Sequence, residues 1–316
     1  MGYLAALILA AGLGVFPPAV RAGVIHQLSQ VTGTIWHRAN RGAVRRVRHH
    51  LRVLVHYEEA GATLESLVRS QLILVSWNAL ILNLLPSLYD EHLGLLLQVE
   101  GLHHLEELRK QGQAILLLGA HYGTYGFAVA AALSAHGYPI CLVGYGDSRS
   151  PPPRTSHLYN KLYWPRVQRL NQRVRMTAID ADKGPQPELV EVLRKSAIFY
   201  LLADQYFIVH PGQDPPSHLV PLCLLGRTVY LDVSGVQLAK RMGAQPLTAL
   251  PVRDGRVLIE PLQWVSNGTA TIDIAQDLQL YLARLEQRLV EYPALWRDLR
   301  RTDLLPRMGI FERTEL

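Results

Sequence analysis

The chain has 316 residues, 49% of them hydrophobic, and its 32 lysines and arginines exceed its 26 aspartates and glutamates to give a formal net charge of +6. A chain of this length can bury one large core or two modest ones, and its excess of arginine favours anionic partners. Only two cysteines are present, Cys141 and Cys223, and both lie in apolar stretches, which excludes a disulfide framework and a cysteine-based metal cluster and favours a reducing compartment.

The N-terminus carries an uncharged apolar run from Tyr3 to Phe16, which Pro17 and Pro18 end after 14 residues. A helix needs about 20 apolar residues to cross a bilayer, so this segment is expected to lie in the membrane interface or to anchor weakly. A signal peptide is the competing interpretation, but no lysine or arginine precedes the run. The expected location is therefore the cytoplasmic face of the inner (plasma) membrane, with the protein attached peripherally or by a weak anchor.

The segment from Arg38 to Leu54 has the pattern of an amphipathic helix. Its arginines recur at steps of four, three and four beside a stripe of valine and leucine: Arg41, Arg45, Arg48 and Arg52. Such a stripe can contact anionic lipid head groups, or it can be the solvated face of a helix that packs on the domain, and the pattern favours neither. Nucleic acid is a weaker alternative, because no RNA- or DNA-binding motif is present.

A second uncharged stretch runs from Leu72 to Leu85 and is interrupted by Asn78 and Asn83. It is too short and too polar for a membrane span, so it predicts a buried core helix. A wall that contacts acyl chains would have the same pattern.

The rest of the chain alternates short β-like runs with helical patterns, which is typical of a layered α/β domain. The predicted strands are Ala114 to Gly119, Ile140 to Tyr145, Arg175 to Ile179, Ala197 to Leu202, Pro246 to Arg253 and Arg256 to Pro261, with a hairpin turn at Asp254-Gly255. The predicted helices are Pro187 to Lys195, Val233 to Arg241 and an amphipathic helix from Ile274 to Leu289 that covers the sheet. We expect a single α/β domain at 61–316, with a central mixed, largely parallel sheet flanked by helices. The apolar and arginine-rich helices at 1–60 are expected to form a membrane-associating segment.

The most informative stretch leads from the strand AILLLG through AHYGTYG into an alanine-rich helix, so His121 lies in a strand-to-helix turn. In open α/β sheets, ligands and catalytic groups collect at the carboxyl ends of strands. A histidine there can accept the proton of a substrate hydroxyl as its oxygen attacks a thioester carbonyl. A histidine in this position can equally be a satisfied polar group at a strand end.

Four blocks of sequence occur in an order that is informative as a whole. GQAILLLGAHYG leads into His121, PELVEVLRKSAIFYLLADQ ends in Asp204 and Gln205, HLVPLCLLGRTVYLDVSGVQLAKRMGAQPLTALPVR follows, and YPALWRDLRR carries Pro293, Trp296, Arg300 and Arg301. Together with the apolar N-terminus and the arginine-rich helix, these blocks resemble the lysophospholipid acyltransferase superfamily, and within it the lipid A late (lauroyl and myristoyl) acyltransferases. The resemblance covers nearly the full length.

The sequence departs from the family's pattern at the catalytic motif. The family has an aspartate or glutamate where this chain has Gly126, and no acidic residue lies between His121 and Asp147. Such an acid holds the imidazole in the right tautomer and stabilises its positive charge. Three alternatives remain open: Asp204 or Asp147 reaches His121 from a neighbouring strand end, a backbone carbonyl orients the ring, or the fold binds acyl or lipid groups without catalysis.

The resemblance implies transfer of a fatty acyl group from an acyl-carrier-protein or coenzyme A thioester to a hydroxyl of a membrane glycolipid or lysophospholipid. His121 would be the general base and Asp204 its candidate partner, with no cofactor or metal required. The candidate substrate-binding residues are Tyr122, Tyr125, Arg149, Arg166, Gln205 and Arg227, with Arg154 as a further basic residue near the predicted site. Each arginine can also be ordinary surface charge, and each tyrosine can simply pack the turn. The alternative function is a catalytically impaired protein of this fold that binds lipid or acyl groups.

Overall fold

The computed structural model of the chain describes residues 17–55, 62–84, 97–123, 126–145, 168, 177–179, 187–194, 197–253 and 256–310. Three helices precede the sheet: α1 (Pro18–Ala39), α2 (Arg41–Val55) and α3 (Ala62–Leu84). Pro18 lies at the first position of α1, where its missing N–H costs no hydrogen bond. The Asn40 side chain accepts the N–H of Ala43 at 3.0 Å and so caps the start of α2. The predicted arginine-rich helix is thereby confirmed, whereas the apolar run Tyr3 to Phe16 lies outside the described residues.

The two faces of α2 have opposite characters. Val44, Val47 and Leu51 are buried in the same hydrophobic cluster as the sheet and α3. On the other face, Arg41, Arg45 and Arg52 are exposed. Arg48 differs from its three neighbours, because it is half-buried and its guanidinium binds the Glu65 carboxylate of α3 at 2.5 Å. The predicted stripe of four arginines is therefore reduced to three that face solvent.

The core helix predicted at 72–85 is part of α3, which packs against α1. The crossing is close at Gly33 of α1, where an added Cβ would lie 2.6 Å from the Cα atom of Ile73. The polar residues Gln71, Ser76 and Asn78 of α3 are all buried. Among the helices that the structure describes, none combines the length and the hydrophobicity that a membrane crossing requires.

A seven-stranded sheet forms the centre of the molecule. Its strands are β1 (Gln98–Glu100), β2 (Ile115–Gly119), β3 (Ile140–Tyr145), β4 (Thr177–Ile179), β5 (Ile198–Leu202), β9 (Gln245–Arg253) and β10 (Arg256–Pro261), in the spatial order β1-β10-β9-β2-β5-β3-β4. Every neighbouring pair is parallel except β9 and β10, which are antiparallel. The predicted α/β class with a mixed, largely parallel sheet is confirmed, and the hairpin residues Asp254 and Gly255 lie outside the described residues.

Helices cover both faces of this sheet. They are α4 (Leu102–Lys110), α5 (Gly126–Ala135), α6 (Pro187–Arg194), α7 (Ser234–Arg241), α8 (Thr271–Glu291) and the short α9 (Leu304–Arg307). Alternate side chains of a strand point to opposite faces. Accordingly, Leu116 and Leu118 of β2 join the cluster shared with α2, α3 and α8, whereas Ile115 and Leu117 join the cluster shared with α5. The sheet is therefore the middle layer of three.

A small antiparallel sheet, which the sequence did not predict, lies beside α8. It consists of β6 (Tyr206–Phe207), β7 (Leu219–Leu224) and β8 (Arg227–Asp232), in the order β6-β8-β7. The free edge of β7 faces α8, where the Gln279 side chain accepts the Cys223 N–H and donates to the Cys223 carbonyl, both at 2.8 Å. About two turns further along α8, the Glu286 carboxylate accepts the Leu225 N–H at 2.7 Å. Side chains of a helix thus complete the hydrogen bonding of an edge strand.

A buried ion pair joins α7 to α8. The Lys240 ammonium lies 2.5 Å from the Asp277 carboxylate, and both side chains are almost fully buried. The second carboxylate oxygen of Asp277 accepts the N–H groups of Val265 and Ser266 at 2.7 and 3.2 Å. Because every charged group here has partners, the pair can remain ionised inside the fold.

Candidate active site

His121 and Asp204 follow the carboxyl ends of two neighbouring parallel strands. β2 and β5 are paired so that Gly119 lies opposite Leu202, and the Ala203 N–H donates to the Gly119 carbonyl at 2.8 Å. His121 comes two residues after β2, and Asp204 comes two residues after β5. Equal spacing from paired strand ends brings the two side chains together at one edge of the sheet.

The two residues share two hydrogen bonds. The Asp204 carboxylate accepts the backbone N–H of His121 at 2.6 Å through Oδ2, and its Oδ1 lies 2.8 Å from the His121 ring Nδ1. The Asp204 side chain is 1% exposed, whereas the His121 side chain is 27% exposed. An ionised carboxylate only accepts hydrogen bonds, so Nδ1 carries the proton and Nε2 of the neutral ring is left as the basic nitrogen. This is the tautomer that a general base requires.

Opposing influences determine the pKa of His121. Burial lowers it, the charge and hydrogen bond of Asp204 raise it, the Arg297 guanidinium lowers it and the Asp298 carboxylate raises it, and the pKa is raised overall. The pKa of Asp298 is itself raised, chiefly by burial and then by the charge of Asp204. His121 is therefore a stronger base than an isolated imidazole.

A segment near the C-terminus runs alongside the His121 turn. Tyr122 and Trp296 form an antiparallel bridge, in which the Arg297 N–H donates to the His121 carbonyl at 3.1 Å and the Gly123 N–H donates to the Leu295 carbonyl at 2.6 Å. Gly123 has a φ of +62°, which glycine adopts without strain. The turn that carries His121 is thus fixed by backbone bonds on both sides.

Polar side chains of the N-terminal helices bind the same two segments. The Asn78 amide donates to the Gly123 carbonyl at 2.9 Å, the His50 Nδ1 lies 2.7 Å from the Leu299 carbonyl, and the Arg46 Nε donates to the Arg300 carbonyl at 3.3 Å. These contacts place α2 and α3 directly behind the site. Asn78, which interrupts the apolar pattern of α3, therefore has a structural use.

The space beside Gly126 is filled by another side chain. Gly126 is the first residue of α5, and a Cβ there would lie 2.9 Å from both Cδ atoms of Leu202. A carboxylate at Gly126 would first have to displace Leu202. Of the acids considered from the sequence, Asp204 reaches the imidazole, and Asp147 lies outside the described residues.

Tyr122, a candidate substrate-binding residue, is buried beside the His121 turn. Tyr122 is 0% exposed, and its hydroxyl lies 2.6 Å from the Arg288 carbonyl and 3.1 Å from the Tyr292 carbonyl. The Tyr122 side chain therefore packs the turn with its hydroxyl bound to the backbone, and a contact of this residue with substrate stays a prediction. Burial raises the pKa of this hydroxyl well above its usual value.

Gln205 is half-buried and directly follows Asp204, so it lies at the edge of the site. Arg227 is exposed at the turn between β7 and β8, and no hydrogen bond or ion pair links it to His121 or Asp204 among the described residues. Tyr125, Arg149, Arg154 and Arg166 lie outside the described residues.

A surface groove of about 660 Å³ between β7 and α8 is lined by Cys223, Gln279, Glu286 and neighbours on α8, and His121 is not among them. The described histidine, cysteine and acidic residues form no group of three suited to holding a metal ion.

Sequence reasoning overlooked Arg297 and Asp298, whose charges act directly on His121. Both lie in YPALWRDLRR, which drew notice for its neighbours, Trp296 and Arg300. The sequence contains no signal that pairs this segment with the His121 turn, because the two are joined by backbone bonds across more than half the chain.

Compared with known proteins, the chain matches no family model, and no curated protein matches it significantly.

Proposed function

We propose that this protein is an O-acyltransferase that uses His121 as a general base and Asp204 as the acid that orients it. The observation that carries the proposal is the Asp204 carboxylate 2.8 Å from the His121 Nδ1. The sequence left open whether any carboxylate could replace the acid missing at Gly126, and a carboxylate at this distance supports the catalytic alternative over a lipid-binding protein without turnover. The acyl chemistry itself rests on the sequence resemblance.

In the proposed reaction, the acceptor hydroxyl oxygen attacks the carbonyl carbon of a thioester. Nε2 of His121 accepts the hydroxyl proton as the new C–O bond forms, and Asp204 stabilises the resulting imidazolium. When the C–S bond breaks, the departing thiolate takes that proton from His121. The products are an ester and a thiol, and no covalent acyl-enzyme is formed.

The proposed donor is an acyl-carrier-protein or coenzyme A thioester, and the proposed acceptor is a membrane glycolipid or lysophospholipid. An anionic membrane surface is the proposed partner of the basic face of α2. Support for this partner comes from three exposed arginines at positions 41, 45 and 52, on the helix whose Arg46 and His50 bind the segment next to His121. Contact through that face would bring the site close to lipid acceptors at the cytoplasmic face of the inner membrane.

The test is thioester consumption by purified full-length protein with a panel of acyl donors and lipid acceptors. Wild type is compared with His121→Ala, and with His136→Ala as a matched control, because His136 is an exposed histidine at the end of α5. We expect His121→Ala to lose about 10²- to 10⁴-fold in kcat and His136→Ala to retain wild-type activity. Intact mass during turnover is expected to show no acylated protein.

Two results would contradict the proposal in different ways. Equal turnover by wild type and His121→Ala would mean that the base lies elsewhere. If wild type and His121→Ala both fold and bind lipid vesicles but consume no thioester, the non-catalytic lipid-binding alternative is the correct one.

A further inference from the structure

Arg297 lies across from His121 on the neighbouring segment. Tyr122 and Trp296 form the bridge between the two segments, and their side chains are 0% and 1% exposed. Arg297 follows Trp296 and begins a short 3-10 turn, and its backbone N–H donates to the His121 carbonyl at 3.1 Å. The Arg297 side chain is half-buried, and its positive charge lowers the pKa of His121. The guanidinium is therefore close enough to the imidazole to act on it.

Charges of both signs act on His121. The Asp204 carboxylate binds Nδ1 and is 1% exposed. The Arg297 guanidinium lowers the pKa of His121. Nearby Arg301 and Arg307 are occupied by the Asp303 carboxylate at 2.7–3.0 Å, so their positive charge is largely neutralised. Arg297 is the described arginine whose charge acts on the pKa of His121.

We propose that the Arg297 guanidinium contacts the carbonyl oxygen of the acyl thioester and stabilises the negative charge that develops there. This inference rests on the proposed acyl transfer. As the acceptor oxygen bonds to the carbonyl carbon, the π electrons move to the carbonyl oxygen and the proton moves to His121. When the carbonyl re-forms, the C–S bond breaks and the thiolate takes that proton. A donor preorganised for the oxyanion lowers the barrier because the charge exists only during this step.

A substitution of the Arg297 side chain can separate this role from a purely structural one. The bond that links Arg297 to the His121 carbonyl comes from the backbone N–H, so it is retained in Arg297→Ala. The loss of the guanidinium should therefore affect the reaction and leave the His121 turn in place. Arg297→Lys keeps the charge but removes the planar pair of donors.

The experiment measures kcat and KM for Arg297→Ala and Arg297→Lys with an acyl-CoA donor and a lysophospholipid acceptor, with the folded state checked by circular dichroism. We expect kcat to fall about 10²- to 10³-fold in Arg297→Ala with KM little changed, and to fall less in Arg297→Lys. Added guanidinium, at concentrations that do not denature, is expected to restore part of the kcat of Arg297→Ala and none of that of His121→Ala. Arg241→Ala, an exposed arginine of α7, is the matched control for loss of one charge.

A second readout does not require turnover. The pKa of His121, followed by NMR, is expected to rise in Arg297→Ala, because Asp204 and Asp298 still raise it while the cation that lowers it has been removed. The proposal is overturned if Arg297→Ala, correctly folded, keeps wild-type kcat, if its loss lies in KM alone, or if guanidinium gives no rescue. An inactive wild type would instead refute the acyl transfer on which the inference rests, so the two failures are distinguishable.

Discussion

A carboxylate two residues beyond the end of β5 determines the protonation of the proposed base. Asp204 raises the pKa of His121 against the effects of burial and of Arg297, so the imidazole stays protonated to a higher pH than usual. A general base must be neutral to accept a proton. The activity of wild type is therefore expected to rise with pH, with its acidic limb centred above the ordinary histidine value of about 6.5.

Asp204→Asn removes the charge with little change of shape, and it tests this dependence directly. The asparagine has one amide oxygen, and if this oxygen accepts the backbone N–H of His121, the NH2 group faces the ring Nδ1. The ring proton is then forced onto Nε2, the nitrogen that must be free to accept the substrate proton. We expect kcat to fall about 10²- to 10⁴-fold and the acidic limb of residual activity to move to lower pH, because burial and Arg297 still lower the pKa. A pH profile of kcat/KM measures both effects.

The control for this variant is Asp273→Asn, which changes a carboxylate that accepts the Ala270 N–H at the start of α8. It should leave the pH profile of wild type unchanged. An Asp204→Asn protein with wild-type kcat and an unmoved acidic limb would show that Asp204 does not govern the ring.

Single residues at the site were only partly predictable. His121 could be identified because a strand, a glycine and an alanine-rich helix surround it in sequence. Asp204 was one of two candidate acids, and the choice between them required the pairing of β2 with β5, which no local pattern encodes. The sequence left open whether Tyr122 packs the turn or contacts substrate, because burial of its hydroxyl against α8 depends on tertiary packing.

Among the elements, the crossing of α1 and α3 supplies a test of how the N-terminal helices are attached. Gly23 and Gly33 both lie in α1, but an added Cβ at Gly23 meets nothing within 4 Å, whereas at Gly33 it would lie 2.6 Å from Cα and 2.9 Å from N of Ile73. We expect Gly23→Ala to stabilise the protein by about 0.5–1 kcal/mol through helix propensity. Gly33→Ala should destabilise it by about 1–3 kcal/mol because the two backbones must separate.

Thermal unfolding of the two variants measures this difference, and the common gain in propensity cancels between them. If Gly33→Ala is as stable as Gly23→Ala, then α1 does not pack on α3 at the distance described here. Such a result would also weaken the idea that α3, whose Asn78 binds the Gly123 carbonyl, is supported by α1.

The elements themselves followed well from sequence where the pattern was strong. The boundaries of β3 and β10 agree with the predicted bounds to the residue, and α8 buries Ile274, Leu278, Tyr281, Leu285 and Leu289 as its periodicity predicts. The small sheet of β6, β7 and β8 was missed. Its strands alternate buried and exposed residues over only a few positions, and Pro221 and a two-residue turn at 225–226 interrupt the signal.

On the scale of the whole molecule, the basic face of α2 is the feature that bears on location. Each basic residue near an anionic bilayer is worth about 1 kcal/mol, so changing Arg41, Arg45 and Arg52 together to glutamine should weaken vesicle binding by about two orders of magnitude. Co-sedimentation with vesicles of phosphatidylcholine, with and without phosphatidylglycerol, measures the effect. Salt should weaken the binding of wild type more than that of the variant.

A matched variant changes Arg109, Arg194 and Arg241 to glutamine, which removes the same charge from exposed positions on α4, α6 and α7. It is expected to bind vesicles as wild type does. If both triple variants bind equally, the arginines of α2 are an ordinary solvated face, which is the alternative that the sequence left open.

The architecture of the molecule was more predictable from the sequence than its family or its activity. Alternation of strand and helix patterns was sufficient for a mixed, largely parallel sheet between layers of helices, since that arrangement follows from burial alone. The resemblance to acyltransferases receives no support from family models or curated proteins. What supports the activity is the contact between two side chains that the sequence separates by 83 positions.

The hydrogen bonds between side chains of α8 and the edge of β7 affect how the protein behaves at high concentration. A bare strand edge presents a row of donors and acceptors that a second molecule can extend into a shared sheet. Here the Cys223 N–H and carbonyl are bound by one glutamine side chain and the Leu225 N–H by a glutamate, so a helix occupies the place that an intruding strand would take. Crowded copies of the protein therefore meet an edge whose hydrogen-bonding groups at Cys223 and Leu225 are already occupied.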